Sequence, residues 1–407
     1  GFPWLPLAVS HWERPSILQI AGFTGGGGIS FVLVAMNVGF VTMAFSLIAQ
    51  GQGGWNFRRP EFLLALFMLM VCLSVHVRET FNRGQYTVPL ARIAFVQPAI
   101  PQEVKWDPAH DREILGILER TTLGAVAVRP DLILWPEAST PWAVQNDAAV
   151  RALVESLAAR AHAPLLLGSV AVEHYREPGE QWRNGAFVAG PDAGLQPEFY
   201  AKRHLVPFGE FVPLRPVLGW LNKFVEIGDG DFTPGDSARP LVVPLRTGTV
   251  AFGPLICYED TYPLLARTSV LAGADVLAVL TNNGWFGEGG AAYQHAAHAV
   301  LRAVETRRPV LRCGNAGWSG WIDEFGGVRA VLTRNAGDQI QTKPGVEGGT
   351  IYFRGTATVS VTRDQRWIGR NSFYVQHGDW FLLASLSLAV LGFAALKVGA
   401  PLARPPG

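Results

Sequence analysis

The chain has 407 residues, of which 49% are hydrophobic and only 16% charged, whereas an ordinary soluble domain has roughly 25% charged residues. Lys and Arg number 34 and Asp and Glu number 33, so the formal net charge is +1 and no basic excess indicates a nucleic-acid partner. The mean hydropathy of +0.19 favours either a very large core or segments that lie in lipid. Three cysteines are too few for a disulfide framework.

Three apolar segments approach the thickness of a bilayer. We predict transmembrane helices over about residues 29–49, 61–78 and 379–398. At 1.5 Å per residue, the first segment spans roughly 31 Å, which matches a hydrocarbon core of about 30 Å. The alternative is that all three are buried core helices, but their placement at both ends of a more polar block argues against it.

Basic residues beside these segments predict an orientation. Arg58 and Arg59 lie between the first two segments, and Lys397 and Arg404 follow the third. Because cytoplasmic loops carry an excess of Lys and Arg, both places are expected in the cytoplasm. Residues 1–78 would then form a membrane region, residues 79–378 an extracytoplasmic domain, and residues 399–407 a cytoplasmic tail.

The beginning of the chain has two features of its own. It starts at Gly1 rather than Met and continues as the loop-like sequence GFPWLP, which predicts that the natural N-terminus is missing. The glycine run Gly25–Gly28 follows no predicted strand and has no lysine beside it. We therefore interpret it as a membrane-proximal turn rather than a phosphate-binding loop.

The polar block has the pattern of an α/β protein. Amphipathic stretches at Asp111–Val128 and Ala148–His162 predict helices, and short apolar runs bounded by turn residues predict strands between them. The predicted strands are Ile93–Val96, Leu132–Trp135, Leu165–Gly168, Thr249–Ile256, Val276–Leu280 and Val310–Arg312.

Three reactive side chains lie in distinctive segments of this block. Glu137 follows the apolar run in LILWPEAS, where burial would raise its pKa and suit it to proton transfer. Lys202 lies among apolar residues in YAKRHLVPFGEFVP, and Cys257 ends a predicted strand in TVAFGPLICYEDTYP. A cysteine between strand and turn is exposed as a nucleophile and has backbone N–H groups nearby for an oxyanion. Taken singly, each has an ordinary alternative: a capping glutamate, a solvated basic patch, and an inert buried cysteine.

Together, Glu137, Lys202 and Cys257 in these contexts resemble the nitrilase, or carbon–nitrogen hydrolase, superfamily over roughly residues 90–362. That resemblance implies an α/β fold of the nitrilase type, an α-β-β-α sandwich, with these three residues as its catalytic triad. The segments HLVPFGEFVP, ICYED and NNGWFG, with apolar segments on both sides, are further similar to the bacterial apolipoprotein N-acyltransferase family. Its eight transmembrane helices imply that about five precede Gly1. The chain departs from that family at Asn283, where Asp is usual, and at Cys313, where Ser or Ala is commoner.

The resemblance also implies a reaction and a location. An acyl chain from a phospholipid would load Cys257 as a thioester and then pass to the N-terminal amine of a diacylglyceryl-cysteine apolipoprotein. The enzyme would be a monomer in the bacterial cytoplasmic (inner) membrane, with its catalytic domain facing the periplasm. The supporting residues implied by the resemblance are Glu210, Glu259 and Tyr258. The implied substrate-binding residues are Trp106, Asn184, Phe208, Pro213, Trp285 and Phe286.

No cofactor or metal is expected. His295 and His298 can share one face of a helix, but no HExxH motif or cysteine pair accompanies them, so local hydrogen bonding or packing explains them better. Two other functions stay open at this point. One is a membrane-tethered nitrilase-type amidase that releases acyl groups to water, and the other is a catalytically silent scaffold.

Overall fold

The computed structural model describes residues 3–49, 59–81, 84–218, 231–345 and 348–399. Arg58 and Arg404, which entered the orientation argument, lie outside the described residues. The helices are α1 (Pro15–Leu18), α2 (Ala21–Ala49), α3 (Pro60–Phe81), α4 (Asp111–Val126), α5 (Ala148–Ala161), α6 (Arg215–Leu218), α7 (Pro263–Leu271), α8 (Ala291–Thr306), α9 (Phe373–His377) and α10 (Trp380–Gly399). The strands are β1 (Thr87–Gln97), β2 (Leu132–Leu134), β3 (Leu165–Glu173), β4 (Gln181–Gly190), β5 (Gly194–Leu195), β6 (Tyr200–Ala201), β7 (Leu241–Leu245), β8 (Gly248–Ile256), β9 (Val276–Thr281), β10 (Val310–Gly314), β11 (Gly320–Ile322), β12 (Val328–Asn335), β13 (Ile340–Lys343), β14 (Gly349–Thr350) and β15 (Gly355–Asp364).

Two mixed sheets form the centre of the domain. One has the order β15-β1-β2-β3-β4-β5 with β6 beside β4, and the other has the order β13-β12-β11-β10-β9-β8-β7 with β14 beside β12. Each contains three adjacent parallel strands, β1 to β3 and β8 to β10. Parallel neighbours need a crossover connection, and α4, α5, α7 and α8 provide it. The carboxyl ends of the parallel strands therefore share one edge in each sheet.

The alternation of side chains along the strands builds three layers of core. On β1, Ile93 and Phe95 point into a cluster between the sheets, where they meet Phe252 of β8. Ala94 and Val96 point the other way and pack with residues of α4 and α5. This is the period of two that a strand buried on both faces must have. The result is the predicted α-β-β-α sandwich.

Within the part of the chain that the structure describes, three helices are long and apolar enough to cross a membrane, namely Ala21–Ile48, Pro60–Phe81 and Trp380–Lys397, with mean hydropathies of 2.2, 2.0 and 1.8. The first of them shares a core with the sandwich, because Ile29 packs in the same cluster as Val300 of α8. Helix α8 in turn packs on the second sheet, so an apolar helix and the site-bearing domain are in direct contact.

The glycine run is a correction to the sequence prediction. Gly25–Gly28 lies inside α2 rather than in a turn, and α2 begins at Ala21 rather than at Ile29. Gly25 alone has non-helical angles, with φ +66°, so it kinks the helix. The run permits close packing, since a Cβ at Gly25 would lie 2.5 Å from the Tyr374 ring and one at Gly27 would lie 2.6 Å from Leu382.

Candidate active site

Loops at the ends of strands bring the three predicted catalytic residues together. Glu137 follows β2, Cys257 directly follows β8, and Lys202 directly follows β6. The loop bearing Glu137 passes close to β3, because a Cβ at Gly168 would lie 2.7 Å from the Cα of Glu137. A glycine at this position of the strand is what lets the loop approach.

A buried ion cluster forms the centre of the site. Nζ of Lys202 lies 2.9 Å from Oε1 of Glu210 and 3.4 Å from Oε1 of Glu137. The Lys202 side chain is only 1% exposed, whereas the side chains of Glu137 and Glu210 are 8% and 13% exposed. Burial by itself lowers the pKa of Lys202, but Glu210 and then Glu137 raise it well above its usual value. Lys202 is therefore a permanent cation held between two carboxylates.

Amide groups complete the coordination of these carboxylates. Nδ2 of Asn184 donates to Oε1 of Glu137 at 2.8 Å and to Oε1 of Glu210 at 3.0 Å. The backbone N–H of Asn282 donates to the other oxygen of Glu137 at 2.9 Å. Asn184 thus lies within the ion cluster and orients both acids. One oxygen of Glu137 has two donors and the other has one.

Cys257 occupies a strained position beside this cluster. Its φ of +54° is in the left-handed region, which is unusual for a residue with a Cβ. The residue is partly exposed, yet the loss of water around its sulfur, and then the charge of Glu137, raise the pKa of the thiol to about 12. Lys202 and a hydrogen bond with the Thr281 side chain act in the opposite direction. Cys257 is consequently a thiol near neutral pH, and a thiol becomes a good nucleophile only when a base removes its proton.

Glu259 joins the lysine loop to the cysteine loop. Its Oε1 accepts from the backbone N–H groups of Arg203 at 2.7 Å and His204 at 3.0 Å. Its Oε2 accepts from the backbone N–H of Ile256 at 2.7 Å and from the Tyr200 hydroxyl at 2.8 Å. The carboxylate therefore fixes the residues that flank Lys202 and Cys257.

Tyr258 contributes to the same region. Its hydroxyl donates to the carbonyl of Leu205 at 2.5 Å, and its ring lies 5.4 Å from Nζ of Lys202. That distance is within the range of a cation–π contact. Tyr258 thus packs beside the lysine that the sequence placed in the triad.

Lys105 is a site residue that the sequence analysis missed. Its side chain is buried, at 2% exposure, and its Nζ donates to the backbone carbonyl of Glu137 at 3.1 Å. Burial lowers the pKa of Lys105 to about 8, although Glu137 and Cys257 act to raise it. Nothing in the sequence IPQEVKWD predicts that this lysine is buried, because the carbonyl that accepts its hydrogen bond lies 32 residues away in the chain.

A second charged group lies behind Cys257. Asp260 forms a buried ion pair with Arg312 of β10 and contacts Nε2 of His295 at 2.9 Å. Burial acts to raise the pKa of Asp260, but His295 and Arg312 lower it to about 2. His295 was expected to pack or to hydrogen-bond locally, whereas its Nε2 contacts Asp260, which lies 35 residues away in the chain. Among the described residues, no group of three or more His, Cys, Asp or Glu side chains can hold a metal ion.

Several of the predicted substrate-binding side chains lie at the surface. Trp106, Phe208, Trp285 and Phe286 are 50%, 40%, 68% and 51% exposed. Pro213 is half-buried in the loop after Glu210. In this structure the four aromatic rings are thus available to a ligand.

The fold is that of the carbon–nitrogen hydrolases, a class that comparison with known proteins supports. The sequence profile of the carbon–nitrogen hydrolase family matches residues 92–362. Among solved structures, an amidase from Nesterenkonia sp. is 18% identical, with a TM-score of 0.48, over 73% of this chain and 97% of the amidase.

Relatives of this chain indicate which family of carbon–nitrogen hydrolases it belongs to. It is 35% identical over 338 residues to an apolipoprotein N-acyltransferase of Geobacter metallireducens, a match covering 81% of this chain and 62% of that protein. It is 31% identical over 412 residues to one of Azotobacter vinelandii, covering 100% of this chain and 71% of that protein. The chain belongs to the apolipoprotein N-acyltransferase family of the carbon–nitrogen hydrolases. It spans less than two thirds of the length of the G. metallireducens relative.

Proposed function

We propose that this chain is the catalytic part of a membrane-bound N-acyltransferase that works through a thioester on Cys257. The observation that carries the proposal is the buried Lys202–Glu137 pair, with Nζ and Oε1 3.4 Å apart, whose charges act directly on the Cys257 thiol. The names of the relatives supply the substrate class, which is an apolipoprotein acceptor. We take the acyl donor to be a phospholipid.

In the first half of the reaction, Glu137 takes the proton from the Cys257 thiol while the sulfur attacks an ester carbonyl of the phospholipid. Lys202 and the backbone N–H after Cys257 stabilise the oxyanion of the tetrahedral intermediate. The carbon–oxygen bond of the ester then breaks, and Glu137 returns the proton to the departing alkoxide. The products are a lysophospholipid and the acyl thioester.

In the second half, the neutral α-amino group of a diacylglyceryl-cysteine attacks the thioester. Glu137 accepts a proton from the attacking amine, the carbon–sulfur bond breaks, and the proton passes to the Cys257 sulfur. The enzyme returns to its resting thiol with an amide as product. Glu210 and Asn184 hold Lys202 and Glu137 in place through both halves.

Both substrates are lipids, which accounts for a catalytic domain joined to apolar helices. We place residues 79–378 on the periplasmic side of a bacterial inner membrane, with transmembrane helices before and after them and a cytoplasmic tail at residues 399–407. Reporter fusions test this placement. An exported-type reporter near Arg363 should be active and a cytoplasmic-type reporter there inactive, and the reverse pattern would overturn the topology.

The thioester is tested by incubating the membrane-embedded chain with a phospholipid labelled in its acyl chain. We expect a label on the protein that hydroxylamine removes, and its complete loss in Cys257→Ala. Cys313→Ala is the matched control, because Cys313 is fully buried in the core between the sheets. Label that persists in Cys257→Ala would overturn the assignment.

The same experiment separates the two other functions. Rapid release of labelled fatty acid to water, with no amide formed when a diacylglyceryl-cysteine peptide is added, would identify an amidase. A chain that is folded but never labelled would be a silent scaffold.

A further inference from the structure

A buried ion pair lies between the kinked helix α2 and the loop that bears Cys257. Arg302 and Glu305 are three residues apart on α8, and Nε of Arg302 lies 2.9 Å from Oε2 of Glu305. Arg302 is 2% exposed and Glu305 is fully buried. Burying two charges is costly unless each has partners. Each of these residues has a further contact, one with the apolar helix and the other with the Cys257 loop.

Glu305 contacts the kink of α2. Its Oε1 accepts a 2.9 Å hydrogen bond from the backbone N–H of Gly26. Gly25, with its non-helical angles, interrupts the helix directly before this group. An N–H group that begins a helical segment has no acceptor in a preceding turn. Glu305 therefore supplies the acceptor that the kink makes necessary, and a carboxylate is favourable at that end of a helix.

Arg302 contacts the Cys257 loop, which we define as residues Cys257–Thr261. Its Nη1 donates to the backbone carbonyls of Asp260 and Thr261, both at 3.3 Å. These two residues end a turn of 3-10 helix. Carbonyl groups at the end of a helix lack partners within it, and a cation is favourable there. Arg302 therefore holds the end of the loop that begins with Cys257.

Hydrogen bonds connect the end of the Cys257 loop to its beginning. The Thr261 hydroxyl donates to the carbonyl of Tyr258 at 2.7 Å. Nε2 of His295 lies 2.9 Å from the Asp260 carboxylate and 3.2 Å from the carbonyl of Cys257. The φ of +54° at Cys257 is a strained angle, which persists only where the surrounding structure enforces it. A displacement at the end of the loop therefore changes the position of Cys257.

We propose that Arg302 and Glu305 are positioning residues that couple the kink of α2 to the Cys257 loop. The path runs from the N–H of Gly26 through the ion pair to the two carbonyls at the end of the loop. The inference rests on the proposed function of Cys257 as nucleophile. Because α2 is one of the apolar helices, the coupling makes the geometry of the nucleophile depend on how that helix is held.

Hydrogen exchange measures the coupling without any lipid substrate. The full chain in detergent is exchanged, and the peptide that contains residues 257–262 is followed by mass spectrometry. Gly26→Pro removes the N–H that Glu305 binds, at a helical position where proline is tolerated. Exchange in the Cys257 loop should become roughly three- to tenfold faster, the range typical of residues that share one hydrogen-bond network.

Two controls accompany Gly26→Pro. Gly26→Ala keeps the N–H, and its methyl group would meet nothing closer than 3.3 Å, so the Cys257 loop should exchange at the parental rate. A peptide from β3, in the other sheet, should exchange at the parental rate in every variant. Faster exchange in both peptides alike would mean a general loss of stability and would overturn the coupling.

A double-mutant cycle tests whether the ion pair carries the effect. Arg302→Met combined with Glu305→Gln removes both charges together, so neither is left buried alone. Exchange in the Cys257 loop should rise on the order of tenfold, because its carbonyls lose a hydrogen bond from a charged group. Adding Gly26→Pro to this pair should cause no further rise. Effects that simply multiply would show that the path does not pass through Arg302 and Glu305.

The thioester assay adds the catalytic measurement. Gly26→Pro should lower the rate at saturating phospholipid and leave the phospholipid concentration for half-maximal rate unchanged, because the nucleophile moves while the lipid-binding surface does not. Exchange does not require acyl transfer. A parent chain that shows the coupling but forms no thioester therefore counts against the proposed function alone, whereas parental exchange and a parental thioester rate in Gly26→Pro count against the coupling alone.

Discussion

Oε1 of Glu259 accepts a 2.7 Å hydrogen bond from the backbone N–H of Arg203, the residue that follows Lys202. The same carboxylate binds the backbone N–H of Ile256, the residue that precedes Cys257. A single buried acid therefore helps to set the distance between Lys202 and Cys257, although both of its oxygens already accept hydrogen bonds from structural donors. Its role in the proposed reaction is to position other groups.

Glu259→Gln should loosen this connection. The amide replaces one accepting oxygen with a donor. At least one backbone N–H of the loops that bear Lys202 and Cys257 is then buried without an acceptor. This should lower the free energy of unfolding by about 1–3 kcal/mol. Thermal unfolding of the full chain should show that loss, and the rate of thioester formation should fall with it. Glu288→Gln, at an exposed position, is the control and should change neither. Parental stability in Glu259→Gln would show that the carboxylate is dispensable.

Lys202→Arg should abolish most of the activity despite keeping the positive charge. The compact ammonium lies between carboxylates at 2.9 Å and 3.4 Å, and a planar guanidinium cannot occupy that position without displacing them. Loss of one oxyanion donor costs on the order of 10²–10³ in rate. The measurement is the single-turnover rate of thioester formation, with the exposed Lys343→Arg as control. Near-normal turnover in Lys202→Arg would mean that Lys202 is only structural.

Lys105 should impose an alkaline limit on the first half of the reaction. Because burial lowers the pKa of Lys105 to about 8, its positive charge near Glu137 and Cys257 is present below pH 8 and lost above it. Thioester formation should therefore decline as the pH rises through about 8. Lys105→Met should remove that decline and lower the rate below pH 8 on the order of tenfold, the effect of one nearby charge in a partly buried site.

Lys105 also affects stability, with a definite sign. The folded chain binds fewer protons at Lys105 than the unfolded chain between the lowered pKa of about 8 and the ordinary value of 10.5. Its contribution to the free energy of unfolding consequently rises with pH across that window, and the cost of burying the ammonium is fully present below it. Lys343→Met is the control for both measurements. An alkaline limit that persists in Lys105→Met would assign it to another group.

The sequence predicts the six parallel strands well and the antiparallel ones poorly, and burial explains part of this difference. β2 and β9 are buried on both faces, so they appear as continuous apolar runs. β15, TATVSVTRD after its first glycine, is half-exposed at the end of its sheet, and its mixture of Thr and Arg gives no such run. Its position depends on pairing with β1, far away in the chain.

The same distinction holds within the site. Glu137 and Cys257 each follow a recognisable strand, so their positions could be predicted. The burial of Lys105 and of the Asp260–Arg312 pair depends on contacts between distant segments of the chain. A single lysine, or a single arginine in a strand, does not indicate in the sequence that it has a buried partner. Sequence reasoning finds the residues at strand ends, and the structure adds the charges that surround them.

Gly25→Ala should uncouple α2 from the sandwich. A methyl group there would meet the Tyr374 ring at 2.5 Å, and the φ of +66° disfavours any residue with a Cβ. We expect a loss of about 2–4 kcal/mol in the free energy of unfolding. Gly27→Ala should cost less, because its methyl meets the end of the flexible Leu382 side chain. Gly289→Ala has open space around it and should be neutral. Thermal unfolding of the full chain in detergent gives the order, and equal stability of the three variants would contradict the close packing.

The exposed aromatic side chains should decide between transfer and hydrolysis. Trp106 and Trp285 are 50% and 68% exposed, so they have apolar area available to cover an acyl chain and keep water from the thioester. On the loaded enzyme we compare release of fatty acid to water with transfer to a diacylglyceryl-cysteine peptide. Transfer should be faster by orders of magnitude in the parent chain.

Trp106→Ala or Trp285→Ala should lower the ratio of transfer to hydrolysis by about tenfold or more, because covering even half of an indole ring contributes over ~1.4 kcal/mol. Trp182→Ala, at a tryptophan 40% exposed on β4 and hydrogen-bonded to Glu180, is the matched control. If the ratio stays at the parental value in both site variants, the aromatic residues do not protect the thioester, and its lifetime depends on the buried groups around Cys257.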